Sequence, residues 1–300
     1  MHNLRYLALL LPLSACDGGA PPELEDAVAA LSASGCQATK ITAFSTDADE
    51  GRLVYSTDGR AAYFHRATAT GPKIFESYRH GGTWSEPTMV PFSTEHVEFD
   101  PFISIDGRTL YYTSFRSLSG TEARPDGDLW KVARTASGWG TPVHLGPEIN
   151  TDANEFFPSV TADGTLYFNS DRPGGVGAWD LYRARRNGAG FRPAALLPGE
   201  VNTDIWEFNP SLTPGGSFLA FGSLDPDPAA PYSDVFFSLR LGGSYSERVN
   251  AGPCINTEIE EYHPTVDWPR GRLLFVRWTP ETQGDLYEVS LPAALLSLVD

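Results

Sequence analysis

The sequence predicts an all-β fold, a single five-bladed β-propeller with four antiparallel strands in each blade. Three observations predict it. A unit of roughly fifty residues recurs five times along the chain. Each copy places a tight-turn signal ahead of an aliphatic or aromatic run. The 29 glycines and 24 prolines, beside 12% aromatic residues, suit many short strands joined by turns better than helices.

Residues 1–15 read as a leader. Arg5 gives a brief positive start, and Tyr6 to Leu13 form an apolar run too short to span a bilayer. The run ends in Leu13-Ser14-Ala15-Cys16, which resembles the bacterial lipobox. The resemblance implies cleavage before Cys16 and acylation of its thiol and new amino group, an anchor that buries many CH₂ groups. An ordinary secretory signal followed by a chance cysteine is the alternative. Asp17 resembles an inner-membrane retention signal. Residues 16–37 then form a tether: Asp17 to Pro22 is flexible, and Glu23 to Leu31 carries helix start signals with Gly35 beyond its end. A lone helix of this length is marginal, so it is taken as a spacer. Residues 38–300 are assigned to the propeller.

The repeat opens with a small polar residue, Thr, an acid, two variable positions and Glu. Its copies start at Ser45, Ser93, Asn150, Asn202 and Asn256, and the threonines stand at 46, 94, 151, 203 and 257, spaced by 48, 57, 52 and 54 residues. A turn follows each, at Asp58-Gly59, Asp106-Gly107, Asp163-Gly164, Gly215-Gly216 and Arg270-Gly271. Later in four units stand Asp128-Leu129-Trp130, Asp180-Leu181-Tyr182, Asp234-Val235-Phe236 and Asp285-Leu286-Tyr287; the first has only Lys73-Ile74-Phe75. In the third unit the four strands are expected at 156–160, 166–169, 181–185 and from about 191 to 201. Tandem four-strand units of this length are propeller blades; a stacked solenoid is the alternative.

These units resemble the repeat of TolB-like, WD40-like propellers, whose motif runs from a proline to Asp-Gly and an aliphatic-aromatic strand. Pro101, Pro158, Pro210 and Pro264 hold the proline position, Leu53 replaces it in the first unit, and Asn169 to Gly175 followed by Asp180-Leu181-Tyr182 is the best match. The resemblance covers about residues 38–290. It implies a propeller and an envelope protein partner, and it departs in number: TolB-like propellers have six blades, so six is the alternative to five. Closure favours five. The stretch Gly35-Cys36 and Thr39 to Phe44 reads as a fourth strand without a blade, so it is expected to complete the last one and remove an open edge; the tail Leu291 to Leu296 is the other candidate. That clasp would bring Cys36 towards Cys254, and an exported compartment permits the bridge.

Strand parity sets Glu50, Glu98, Glu155, Glu207 and Glu261 around one mouth of the channel, with the loops 116–128, 171–180 and 223–234 about them. Two readings stay open. Each Glu braces the fold by accepting hydrogen bonds from backbone of the next blade, or the ring binds a cation or polar ligand, with His96, Asp100 and His263 nearby. Ca²⁺ is the ion such oxygens suit, although no Ca²⁺ loop motif is present; otherwise no cofactor, metal or catalytic residue is assigned. Asp128, Asp180, Asp234 and Asp285 are expected to bond blade backbone. A net charge of −16 argues against nucleic acid and against a polybasic grip on lipid. No serine-nucleophile elbow, zinc helix or phosphate loop occurs. The expectation is a monomeric, non-enzymatic lipoprotein of the cell envelope, facing the periplasm or the outside. Its propeller binds a protein or an envelope polymer. A five-bladed glycoside hydrolase acting on an envelope or extracellular polysaccharide is the alternative.

Overall fold

A computed structural model describes residues 19–33, 35–118, 122–225 and 232–298. The leader 1–15 and Cys16 lie outside the described residues. The fold is all-β, a propeller of five four-stranded antiparallel blades.

Blade one is built from Glu50–Tyr55, Ala61–Arg66 and Lys73–His80, with outer pieces Thr83–Trp84 and Thr88–Met89. Blade two uses Glu98–Ile103, Thr109–Ser114 and Asp128–Thr135, with Gly138–Trp139 and Val143–His144 outside. Blade three uses Glu155–Val160, Leu166–Ser170, Asp180–Ala184 and Ala195–Leu196. Blade four uses Trp206–Leu212, Phe218–Leu224 and Asp234–Leu241, with Ser244–Tyr245 and Val249–Asn250 outside. Blade five uses Glu260–Asp267, Arg272–Thr279 and Gln283–Ser290. The outer strands are broken where a long fourth strand was expected, at Pro87, Pro142 and Pro193 in the first three blades. Proline has no N–H to give the ladder. The glycine of each hairpin between the first two strands has positive φ, from 59° to 81°, a conformation glycine adopts without strain.

The ring closes as a clasp. Thr39–Lys40 pairs antiparallel with Gln283–Ser290, setting Thr39 opposite Glu288 and Lys40 opposite Tyr287, and Ile41 N–H donates to Leu286 O at 2.8 Å. The Lys40 ammonium meets Asp285 at 2.7 Å. The tail does not compete for this edge, because Ala293–Leu296 forms a short helix. Cys36 and Cys254 are bridged, with Cα atoms 5.8 Å apart, so the clasp is covalently tied to the linker entering blade five.

The core is divided as the architecture demands: five apolar clusters, each between two neighbouring blades. The helix Pro22–Ala33 belongs to one of them, which differs from the free spacer read from the sequence. Leu24, Ala27, Val28 and Leu31, an i, i+3, i+4, i+7 stripe, are buried against Ala251, Leu291 and Leu295 beside the interface of blades four and five. Docking supplies the stability that a helix of this length lacks alone. No helix among the described residues is long and apolar enough to cross a membrane.

A cross-link closing so long a loop is worth about 2–5 kcal/mol to a secreted domain. Replacing Cys36 and Cys254 together by serine should therefore lower the unfolding midpoint in urea, and dithiothreitol should do the same to the wild type but not to the double variant.

Candidate functional site: the carboxylate locks and the axial cluster

Glu50, Glu98 and Glu155 open the first strand of their blades and Glu207 and Glu261 stand second in theirs, and all five are fully buried. Each accepts the backbone N–H of the threonine four residues earlier, at 2.9 to 3.2 Å. It also accepts that threonine's hydroxyl, at 2.5 to 2.8 Å. The donors thus come from the linker entering the Glu's own blade, where the sequence reading had looked to the next blade.

An arginine completes every lock: Arg66 on Glu50, Arg116 on Glu98, Arg172 on Glu155, Arg248 on Glu207 and Arg277 on Glu261. Most also donate to a linker carbonyl, Arg66 to Phe44, Arg116 to Phe92, Arg172 to Ile149 and Arg277 to Ile255. Every guanidinium lies over an aromatic ring of its blade, as Arg172 does over Tyr182 at 4.8 Å and Arg277 over Tyr287 at 4.9 Å. The arginine is not at a fixed sequence position. In blades one and five it stands directly opposite the Glu on the second strand. In blades two and three a serine stands there and the arginine follows two residues later. In blade four that later position is Asp225, and Arg248 reaches in from beside the outer strand, also donating to Ser223 Oγ at 2.8 Å. The chemistry is constant while its source moves.

Three of the linkers add an amide clamp. Asn150, Asn202 and Asn256 each accept from and donate to the backbone of one residue in the preceding blade, Leu129, Leu181 and Val235. The acids opening the third strands behave less uniformly than expected. Asp180 accepts from the backbone of Val176 and Gly177. Asp128 instead faces Arg124 and His144, Asp234 accepts from Asn250, and Asp285 holds Lys40.

Two residues past each Glu, the first strand bulges. Arg52, Asp100, Phe157, Asn209 and His263 all have positive φ, between 29° and 58°, and the register slips at the same place in every blade. Each first strand touches those of both neighbouring blades, so these five residues converge on the axis. Four of the freed N–H groups are caught by the preceding blade: Arg52 by His263 Nδ1, Asp100 by His65 Nδ1, Asn209 by Asn169 Oδ1 and His263 by Asn209 Oδ1, at 3.2 to 3.3 Å. Asp100 Oδ1 lies 3.4 Å from His65 Nδ1 and 3.3 Å from His263 Nε2.

His65, Asp100 and His263 are the set among the described residues whose ligand atoms could share an ion, all within 4.8 Å. The ring orientations oppose it. Both Nδ1 atoms accept main-chain N–H groups, which puts each neutral ring's proton on Nε2, and the Nε2 of His65 presses on Gly51, where an added Cβ would come within 2.0 Å. Burial drives this cluster towards its neutral forms. It pushes Asp100 well above the usual carboxylate range against the pull of Arg52, takes His65 down to about 3, and lowers His263 well below its usual value. His96 stands apart, its Nε2 3.5 Å from Glu95.

Over the axis on the Glu side lie half-buried aromatic rings. Phe156 stacks on Trp179 with centroids 5.2 Å apart and meets Phe99 edge-on at 5.3 Å, and Phe115 stacks on Phe99 at 6.3 Å. The sequence reading missed this cluster: Phe99 and Phe156 share one repeat position, directly after Glu98 and Glu155, but Phe115 and Trp179 come from unlike loop positions in blades two and three.

No protein-family model and no curated protein sequence matches the chain. Solved structures do match. TolB from Acinetobacter baumannii superposes with a TM-score of 0.50 at 14% identity, over 83% of this chain and 56% of that one. The TolB candidate from Agrobacterium tumefaciens gives 0.52 at 14% identity, over 81% and 77%. The chain has a TolB-like propeller fold. It spans little more than half the length of the Acinetobacter protein. The catalytic domain of the Coprinopsis cinerea GH62 α-L-arabinofuranosidase is similar to the same degree, with a TM-score of 0.51 at 12% identity, over 85% of this chain and 96% of that one. At these identities the likeness is one of fold.

Removing one partner of a buried ion pair costs about 3–5 kcal/mol. Arg172→Met should destabilise by that order in chemical denaturation, and adding Glu155→Gln to it should recover part of the loss. Burial raises Glu207 from 4.5 to about 7. The native state then holds that proton more tightly than the unfolded chain, so this group's contribution to stability falls as pH rises from 4.5 through about 7. Thermal melts across that interval should show the wild type losing ground to Glu207→Gln, and a difference independent of pH would contradict the assignment.

Proposed function

We propose that the chain is a lipid-anchored cell-envelope protein whose propeller binds a protein or envelope polymer through its Glu-side face and catalyses nothing. The observation that carries the reading is the state of the five carboxylates. Each is fully buried, held by a threonine and paired with an arginine, so none is offered to a ligand as acid, base or nucleophile. Beside the exposed linker acids Asp47, Glu95, Asp152, Asp204 and Glu258, this face offers the half-buried aromatic group of Phe99, Phe115, Phe156 and Trp179. Aromatic surface on a rigid frame gives binding energy at little cost in side-chain entropy.

Anchoring rests on Leu13-Ser14-Ala15-Cys16, and export is supported by the Cys36–Cys254 bridge, since disulfides persist in oxidising compartments. The negative charge disfavours nucleic acid as the partner. The glycoside hydrolase alternative requires two carboxyl groups, one raised and one ionised, opening on a common cavity. Glu207 has the raised value but no exposure.

Two measurements test the proposal. Cys16→Ser should move the protein from the membrane to the soluble fraction. Detergent-solubilised envelope should yield a partner captured by the wild type and lost with Phe156→Ala/Trp179→Ala, with no turnover in a glycan hydrolysis screen. Hydrolysis abolished by Glu207→Gln, or capture indifferent to the aromatic double variant, would overturn it.

A further inference from the structure

On the opposite face, among the hairpins, a groove of about 450 Å³ separates blades two and three. Its origin is a local departure from the repeat. The third strand runs on in blade two as Asp128–Thr135, but in blade three it stops at Ala184. Residues 186–191 then fold as a separate hairpin, Arg186–Asn187 on Gly190–Phe191, and form the far wall of the groove. Lys131 of blade two reaches across, its Nζ donating to Ala189 O at 3.2 Å. The stem of Arg186 lies on Gly164, whose φ of 81° and missing Cβ leave it that room; an added Cβ would fall 2.8 Å from Arg186 Cδ.

Two cations thus line one groove of a chain with net charge −16, and among the described residues neither forms an ion pair with a carboxylate. Burial, and after it the repulsion of Arg186, lowers the Lys131 ammonium. The remaining walls are mixed. Tyr111 and Phe191 offer ring faces, Thr141 a hydroxyl, and Asp106 is held at the rim by Ser104 Oγ and the Arg108 N–H. Arg186 Nε donates to Gly188 O at 3.1 Å within its own hairpin, and the corresponding groove between blades one and two holds its cation differently. Its Arg134 donates to the hydroxyls of Tyr63 and Tyr78 and stacks on Trp139 at 4.2 Å.

We infer that the groove between blades two and three binds an acidic sugar, with Lys131 and Arg186 on the carboxylate of a uronic acid. Its hydroxyls are met by Thr141 and Asp106, and its apolar ring face by Tyr111 and Phe191. A groove of this volume takes a unit of one or two sugars, and clefts of this order are ordinary for small ligands. The anion relieves a like-charge pair that the fold itself leaves unneutralised. The site lies across the propeller from the aromatic face and does not rest on the function proposed for it.

Calorimetric titration of the full chain with trigalacturonic acid tests the inference, with galactotriose and inorganic phosphate as the other arms. Binding of trigalacturonic acid should weaken about tenfold or more in Lys131→Gln and in Arg186→Gln, the loss of a hydrogen bond to a charged group. It should also persist in Phe156→Ala/Trp179→Ala, and galactotriose should bind at least about tenfold more weakly. Both groove variants should melt with the wild type, because neither side chain is in the core. No heat with trigalacturonic acid would overturn the inference, as would binding unchanged in both variants. Equal binding of galactotriose, or phosphate bound while the acidic sugar is not, would do the same.

Discussion

A carboxylate taken out of water must be met by donors or by a cation, or it gives up its charge. That requirement organises this propeller. Near the start of each blade's first strand stands a fully buried Glu whose needs are met by the threonine of the entering linker and by an arginine of its own blade. Satisfying the acid therefore fixes the path of the linker, and the linker fixes the start of the innermost strand. The arginine, stacked on the aromatic rings of the second and third strands, ties this corner to the sheet behind it. The apolar clusters between blades supply most of the burial, but they are not directional; the locks set where each blade starts.

How much of this could be read from residues alone follows from what repeats. Thr and Glu recur at fixed spacing, so the blades, their number and the mouth they face were legible. The arginines were not, because Arg66 and Arg277 lie opposite their acids, Arg116 and Arg172 stand further along, and Arg248 comes from the loop just before the outer strand piece Val249–Asn250. The axial bulges were hidden for a related reason. The backbone conformation repeats in all five blades, yet the residues adopting it are Arg52, Asp100, Phe157, Asn209 and His263, which share no property a pattern search would find. The clasp and the bridge of Cys36 to Cys254 could be anticipated from an unmatched strand and an even pair of cysteines. The docking of Pro22–Ala33 could not, since its apolar stripe says that it packs but not where.

The two faces of the ring have different chemistry. On the Glu side the five repeated glutamates are paired internally, and the accessible surface combines the aromatic group with the exposed linker acids Asp47, Glu95, Asp152, Asp204 and Glu258. On the hairpin side, the truncated third strand of blade three opens a groove with two cations that pair with no acid among the described residues. Such local departures are where a repeated scaffold acquires individual surfaces, since the regular parts of every blade are committed to holding the ring together.

The locks can be read directly by backbone hydrogen exchange at five amides, those of Thr46, Thr94, Thr151, Thr203 and Thr257. All lie in loops outside the strands, and each donates to a buried carboxylate. Slow exchange at all five, comparable with the inner strands, is the result expected of linkers held by buried acids. Exchange at open-loop rates while the strands remain protected would contradict it.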